Sequence, residues 1–249
     1  MQRTVVITGS TRGIGRAIAL KLASQGDRLV LNYSTHDHSA QETLELCRAI
    51  HPEILLVKAN IANKQEVERL FEQCYEWSHT IDVLVNNASI NIDRPFLDMA
   101  EDEWDQVVDI NMKGTFLCSQ VAARYMQSQQ HEGIILNVGA STGIRGRKNG
   151  INYCAAKAGV LVMTKCLALE LAPKIRVNCL IPGFTWTDET EQRYHLEKRE
   201  HVLAKEQTIP LQRIGTPQEI ADVASFLLSP EARYINGQKI LVDGGQFMY

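Results

Sequence analysis

Thr4-Val5-Val6-Ile7-Thr8-Gly9-Ser10-Thr11-Arg12-Gly13-Ile14-Gly15 is a run of branched residues that breaks into a loop holding three glycines and then enters a segment of helical period. A strand followed at once by such a loop and a helix predicts the first βα junction of a parallel sheet, where the helix N-terminal amides point at the loop and can receive a pyrophosphate. In that reading Gly9 makes the turn, Gly13 lets the backbone approach a phosphate, and Gly15 allows close helix packing. Arg12 adds a positive charge. The plainer alternative is a tight strand-to-helix turn with no ligand, and the location of the loop at a first βα junction argues against it.

The rest of the chain repeats the alternation. Short branched apolar runs predict strands at Thr4 to Thr8, Arg28 to Asn32, Ile54 to Lys58, Val83 to Asn86, Gly133 to Val138, Arg176 to Ile181 and Lys239 to Val242. Between them lie helical segments starting near Gly13, Ala40, Lys64, Glu101, Tyr153 and Pro217, the last with Thr216 as its cap. The expected fold is α/β, a single domain over 1–249 with a doubly wound seven-stranded parallel sheet and helices on both faces. With 249 residues and 45% hydrophobic content, one undivided core is expected. A net charge of −3 gives no pull toward nucleic acid or an anionic membrane. No apolar run is long enough for a span, and the six scattered cysteines lack metal spacing, so a cytoplasmic protein without a metal is expected.

Tyr153 and Lys157 stand four residues apart, which on a helix puts both on one face. A lysine ammonium beside a phenol favours its ionised form, and a phenol tuned that way can give a proton to a carbonyl.

In this order, the chain resembles the classical short-chain dehydrogenase/reductase family over its whole length. The residues that carry the resemblance are Thr8-Gly-x-x-x-Gly-Ile-Gly15, Asn86-Asn87-Ala88, Asn111, Tyr153-x-x-x-Lys157 and Pro182-Gly183. It is most similar to the β-ketoacyl-acyl-carrier-protein reductase branch, through Asn152 to Gly159, Val177-Asn178 leading to Pro182-Gly183-Phe184, and Gly237-Gln238 to Asp243-Gly244-Gly245. The resemblance implies a Rossmann-type fold and an NAD(P)H-dependent reductase that turns a carbonyl into an alcohol, 3-oxoacyl reductase-like. It implies Tyr153 as proton donor, Lys157 as its partner and a contact of the nicotinamide ribose, and Asn111 as the holder of a water linked to the lysine. It also implies cofactor contacts from Gly9, Ser10, Thr11, Arg12, Gly13, Ile14 and Gly15; from Asn60, Ile61, Asn87, Ala88 and Ser89; and from Pro182, Gly183, Thr185 and Thr187.

The chain departs from the family pattern in three places. Asn60 stands where an aspartate is usual, and Ser89 where a glycine is usual. The usual catalytic serine lies thirteen positions before the tyrosine, where this chain has Ala140, with Ser141 next to it. A hydroxyl there would hydrogen-bond the substrate oxygen as charge develops on it. Either the loop shifts so that Ser141 enters the site, or the role is lost. In the second case the protein would be a catalytically impaired dinucleotide-binding regulator or scaffold.

An acidic residue about 20 positions past the glycines would bond the adenosine ribose diol. Tyr33 stands there instead, so NADP(H) is favoured over NAD(H), with Arg12, Asn32, Tyr33 and Ser34 as contacts; Asp37 in the following loop is the residue that could fold back against this. The charged stretch about 188–212 reads as a solvent-facing helix and, by the resemblance, a lid with Tyr194, His195 and Leu196 as candidates to face the pocket. The expected partner is a small-molecule carbonyl or alcohol. An acyl-carrier protein is less supported, because Gln129-Gln130-His131-Glu132 lacks basic residues, which Lys174 and Arg176 could offset. The segment Val242 to Tyr249 resembles the family's homotetramer contact.

Overall fold

The computed structural model describes residues 2–248, which leaves Tyr249 of the expected subunit contact outside the described residues. The first half runs β1 (Thr4–Ile7), α1 (Gly13–Ser24), β2 (Arg28–Tyr33), α2 (Asp37–Ile50), β3 (Ile54–Lys58), α3 (Lys64–Ser78) and β4 (Val83–Asn86). The second half runs α4 (Glu101–Val108), α5 (Gly114–Ser128), β5 (Gly133–Val138), α6 (Thr142–Arg145), α7 (Ile151–Leu171), β6 (Ile175–Pro182), α8 (Asp188–Tyr194), α9 (Arg199–Glu206), α10 (Pro217–Leu227) and β7 (Lys239–Val242).

All seven strands are parallel, in the order β3-β2-β1-β4-β5-β6-β7. Alternate residues of the inner strands feed two separate cores, the consequence of a two-residue side-chain period with helices on both faces. Val5 and Ile7, Leu29 and Leu31, and Val83 and Val85 pack with Ile18 and Leu22 of α1 and Ala224 of α10. Val6, Val30 and Leu84 pack on the other face with Leu70 and Phe71 of α3 and Leu117 and Met126 of α5.

The order reverses between β1 and β4, so the chain leaves these neighbours in opposite directions and opens a crevice at their carboxyl ends. Below the crevice, buried asparagines tie the strands together. Asn86 Nδ2 donates to Asn137 Oδ1 and to Ser119 Oγ, each at 2.9 Å, and Asn137 Nδ2 donates to Thr164 Oγ1 at 2.9 Å.

Local differences from expectation have simple causes. His36 adopts a left-handed conformation (φ 64°), so α2 starts at Asp37 rather than near Ala40, with its acid in the first turn where the helix dipole favours it. Asp37 is therefore a helix residue, and its carboxylate takes Lys58 Nζ at 2.8 Å. Between α4 and α5 the backbone widens into a π turn over Asp109–Lys113. The expected Thr216 cap is present: Thr216 Oγ1 accepts from Glu219 N at 3.3 Å while Glu219 Oε2 accepts from Thr216 N at 2.9 Å. Among the described residues no helix is long and apolar enough to cross a membrane, and no cluster of His, Cys, Asp and Glu could hold a metal ion.

Candidate active site

A cleft of about 680 Å³ runs along the carboxyl ends of the strands, from Tyr33 and Ser34 at one end to Tyr153 and Arg193 at the other. One wall is the glycine loop. Gly9 has φ +59°, and a Cβ there would sit 2.7 Å from the Cα of Ala88, so only glycine lets the β1 and β4 loops approach this closely. At Gly15 a Cβ would fall 2.3 Å from the Gly9 carbonyl oxygen. Arg12 precedes α1 without a side-chain cap on that helix, and no acid occupies its first turn. The first amides of α1 are thus left for an anion at the cleft wall, and Arg12, Gly13 and Ile14 line it. These features fit a dinucleotide pyrophosphate.

Of the expected cofactor contacts, Gly9, Thr11, Arg12, Gly13, Ile14, Gly15, Asn32, Tyr33, Ser34, Asn60, Ile61, Asn87, Ala88, Ser89, Pro182, Gly183, Thr185 and Thr187 all line the cleft. Ser10 does not: it is buried, and its hydroxyl donates to the Asn32 carbonyl at 3.2 Å, tying the glycine loop to β2. Asn32 reaches the cleft, but its side-chain amide is turned into the sheet, donating to the Ala59 carbonyl at 3.0 Å.

α7 carries Tyr153 and Lys157 to the opposite wall. Burial pushes the Tyr153 phenol up to about 12; Glu189 adds to this, while a hydrogen bond with Ser89 and the charges of Arg147 and Arg193 pull the other way. Burial likewise pulls Lys157 down to about 8. The expected lysine-to-phenol contact is indirect here. Lys157 Nζ donates to the Val138 carbonyl at 2.8 Å and lies 5.8 Å from the centre of the Tyr153 ring. Asn111 is fully buried off the cleft; its side chain accepts from Ile90 N at 2.9 Å and donates to Ile90 O at 2.8 Å, so its carboxamide holds the β4 loop in place.

At the end of β5 the wall is Ala140, Ser141 and Thr142. Ser141 caps α6 by position without a side-chain bond to it, and Thr142 Oγ1 is buried with no hydrogen-bond partner. Two hydroxyl residues thus follow Ala140 along this wall.

The far end holds residues with no sequence signal as a set. Asp93, from the loop after β4, receives Arg147 at 2.6 Å and also pairs with Arg193 of α8. Burial alone would raise the Asp93 carboxyl, but the hydrogen bonds from Arg147 and Arg193 hold it below the usual range. Arg147 also sits 5.4 Å over the Tyr153 ring. Of the three lid candidates only Tyr194 lines the cleft, packed edge-on against Phe184 at 5.0 Å with Lys205 Nζ 4.2 Å over its ring. His195 is exposed at the end of α8, and Leu196 is buried with Val202 and Ile214. Phe247 stacks under Arg145 at 4.1 Å and lines the cleft, so this tail residue faces its own chain's site. Lys174 and Arg176 are spent internally, on the carbonyls of Gln129 at 2.5 Å and of Leu227 and Ile235 at 3.2 and 3.1 Å.

Comparison with known proteins agrees with this geometry. A family model described as Enoyl-(Acyl carrier protein) reductase matches residues 9–246. This chain belongs to the short-chain dehydrogenase/reductase family. It is 39% identical over 249 residues to the 3-oxoacyl-[acyl-carrier-protein] reductase FabG of Staphylococcus aureus, covering 100% of this chain and 99% of that protein. A short-chain dehydrogenase/reductase of Brucella melitensis, named glucose/ribitol dehydrogenase, superposes with a TM-score of 0.89 at 32% identity, covering 100% of both chains. Levodione reductase superposes with a TM-score of 0.92 at 33% identity, covering 98% of this chain and 97% of that one. Membership makes the chain an oxidoreductase that uses a nicotinamide dinucleotide. These relatives' names span a carrier-bound oxoacyl group, polyols and a diketone, so the fold is shared while the substrate is not.

Proposed function

We propose that this protein is an NADPH-dependent reductase of 3-oxoacyl thioesters or closely related small ketones. The observation that carries the reading is the single cleft that brings the uncapped N-terminus of α1 and the Tyr153–Lys157 pair together. A bound dinucleotide supplies hydride to the carbonyl carbon. Tyr153 gives its proton to the carbonyl oxygen, and its high pKa keeps that proton in place at neutral pH. Lys157, tied to Val138, holds a positive charge at the same wall below about pH 8. Ser141 is the hydroxyl assigned to the substrate oxygen in place of the one missing at Ala140, and Asn111 supports the site by pinning Ile90.

The NADPH preference rests on Tyr33 and Ser34 with Arg12 at the adenosine end, and on Asp37 being held by Lys58 rather than facing the cleft. Tyr33→Asp should lower the ratio of kcat/KM for NADPH over NADH about tenfold or more, because a carboxylate repels the 2′-phosphate and accepts from a free diol. α8 and α9 act as a lid through Tyr194 and Arg193. Docking of an acyl-carrier protein at 129–132 would have only Lys174 and Arg176 as cations nearby, and both give hydrogen bonds to internal carbonyls. The fold acts as a cytoplasmic homotetramer in this reading.

The test is consumption of NADPH by the purified protein with a short 3-oxoacyl thioester, beside an Ala140→Ser variant. Turnover by the unaltered protein is expected. Stabilisation by NADPH with no turnover of any carbonyl would replace this reading with that of a dinucleotide-binding regulator.

A further inference from the structure

Lys205, near the C-terminal end of α9, lines the cleft half-buried. Its ammonium contacts two aromatic rings: Nζ stands 4.2 Å from the centre of the Tyr194 ring and 5.1 Å from that of Phe184. No carboxylate or carbonyl of the described residues accepts from it. A ring face attracts an ammonium, but its three N–H groups still lack oxygen acceptors. Burial pulls the Lys205 pKa below the ordinary lysine value, and no neighbouring charge pulls it back.

The cleft rim joins this ammonium to the proton donor. Arg193 lies 5.6 Å from the centre of the same Tyr194 ring and shares Asp93 with Arg147, which sits 5.4 Å over the Tyr153 ring. The acids nearby are turned elsewhere: Asp93 serves two guanidiniums, Glu189 lies 3.7 Å from Arg193, and Asp188 is exposed at the start of α8. Arg145 also meets a ring, that of Phe247, but it is exposed to solvent, which screens its charge. Lys205 is thus a partly dried cation without a counter-ion, in the same cleft as Tyr153.

Resting on the reductase reading above, we propose that Lys205 is a specificity-determining residue that holds an anionic oxygen group of the substrate at the lid end of the cleft while the ketone meets Tyr153. The substrate class is then an anionic oxo compound. Its charge is either the free carboxylate of an oxo acid or the phosphate of the arm that carries an oxoacyl thioester. Both supply the oxygen acceptors that the Tyr194 and Phe184 rings do not.

The experiment compares the unaltered protein with Lys205→Met and Lys205→Arg, using two pairs of substrates with NADPH. One pair is 3-oxobutanoate and its amide; the other is the 3-oxobutanoyl thioester of pantetheine 4′-phosphate and that of pantetheine. The readout is the ratio of kcat/KM for the charged member over the neutral one. Lys205→Met should lower this ratio about tenfold in one pair, mainly through KM, and Lys205→Arg should keep most of it. The pair that responds tells carboxylate from phosphate. An unchanged ratio in both pairs would overturn the proposal, and so would a rise in the KM for NADPH with the ratios unmoved, since the cation would then serve the cofactor. Calorimetric titration of the NADP+-loaded proteins with butanoate against butanamide, and with pantetheine 4′-phosphate against pantetheine, repeats the comparison without turnover. Absence of turnover with all four substrates overturns the reductase reading, while the titrations still decide whether Lys205 takes an anion.

Discussion

Lys157 is an ammonium in a nearly dry wall, and its burial costs stability that function requires. Its folded pKa of about 8 lies below its ordinary 10.5, so between these values the unfolded chain binds more protons than the native one. Stability gained from this group therefore rises with pH across that window, and the full penalty, about 3 kcal/mol, stands below pH 8. Lys157→Met should raise Tm at pH 7 by about 5 °C while abolishing turnover, as read by calorimetry and NADPH consumption; an unchanged or lower Tm would show that the bond to Val138 outweighs the burial cost. Gly9 is constrained in the opposite sense. Gly9→Ala adds a Cβ at φ +59° against the backbone of Ala88, and urea denaturation should show a loss of about 2–3 kcal/mol together with loss of NADPH binding.

α8 is seven residues long, too short to be stable alone, and is held by what it touches. Asp93 clasps Arg193 of α8 and Arg147 of the loop before α7, joining three parts of the cleft rim. Asp93→Asn should free this clasp. Trypsin should then cut after Arg193, Lys198 or Arg199 several-fold faster, and KM should rise more than kcat falls; equal cleavage rates would mean that the Phe184–Tyr194 contact holds α8 by itself. α10 is stable for a local reason, with Pro217 at its start and the reciprocal Thr216–Glu219 box. Thr216→Ala should cost about 1 kcal/mol by denaturation and leave the cleft intact.

At the scale of the whole molecule, the sheet order gathers the loops after β1, β4, β5 and β6, together with Tyr153 and Lys157 of α7, around one cleft, so a ligand there bridges them at once. A cofactor that ties these loops together binds the native state alone and should stabilise it. NADPH at about 100 times its Kd should add about 2.7 kcal/mol and raise Tm by several degrees, and NADH at equal concentration should add less. Equal shifts from both would remove the preference argued from Tyr33. Apolar side chains left exposed on α4 and α5, Trp104 and Phe116, and in the loop before them, Phe96 and Leu97, fit a chain that associates. Light scattering should give four times the 28.0 kDa chain mass.

The amino-acid sequence by itself determined the seven strands, the helices α1, α2, α3, α4, α7 and α10 and their order, because those depend on periods of two and of about 3.6 and on local signals such as Gly13, Pro217 and Thr216. The strand bounds match to within a residue at each end, and most of the residues expected at the cofactor line the cleft because glycines and loop asparagines sit next to the strands they follow. What the sequence left open is which partner, distant in sequence, a polar side chain takes. Ser10 and Asn111 have the expected residue types but spend their bonds on Asn32 and Ile90. Asp37 is claimed by Lys58, Arg176 by two carbonyls, and Lys157 by Val138. Tertiary structure alone decided the Asp93–Arg147–Arg193 clasp, since it joins segments that follow different strands. Local patterning fixes which face of an element is buried, but which polar atoms meet depends on where the sheet brings the loop ends together.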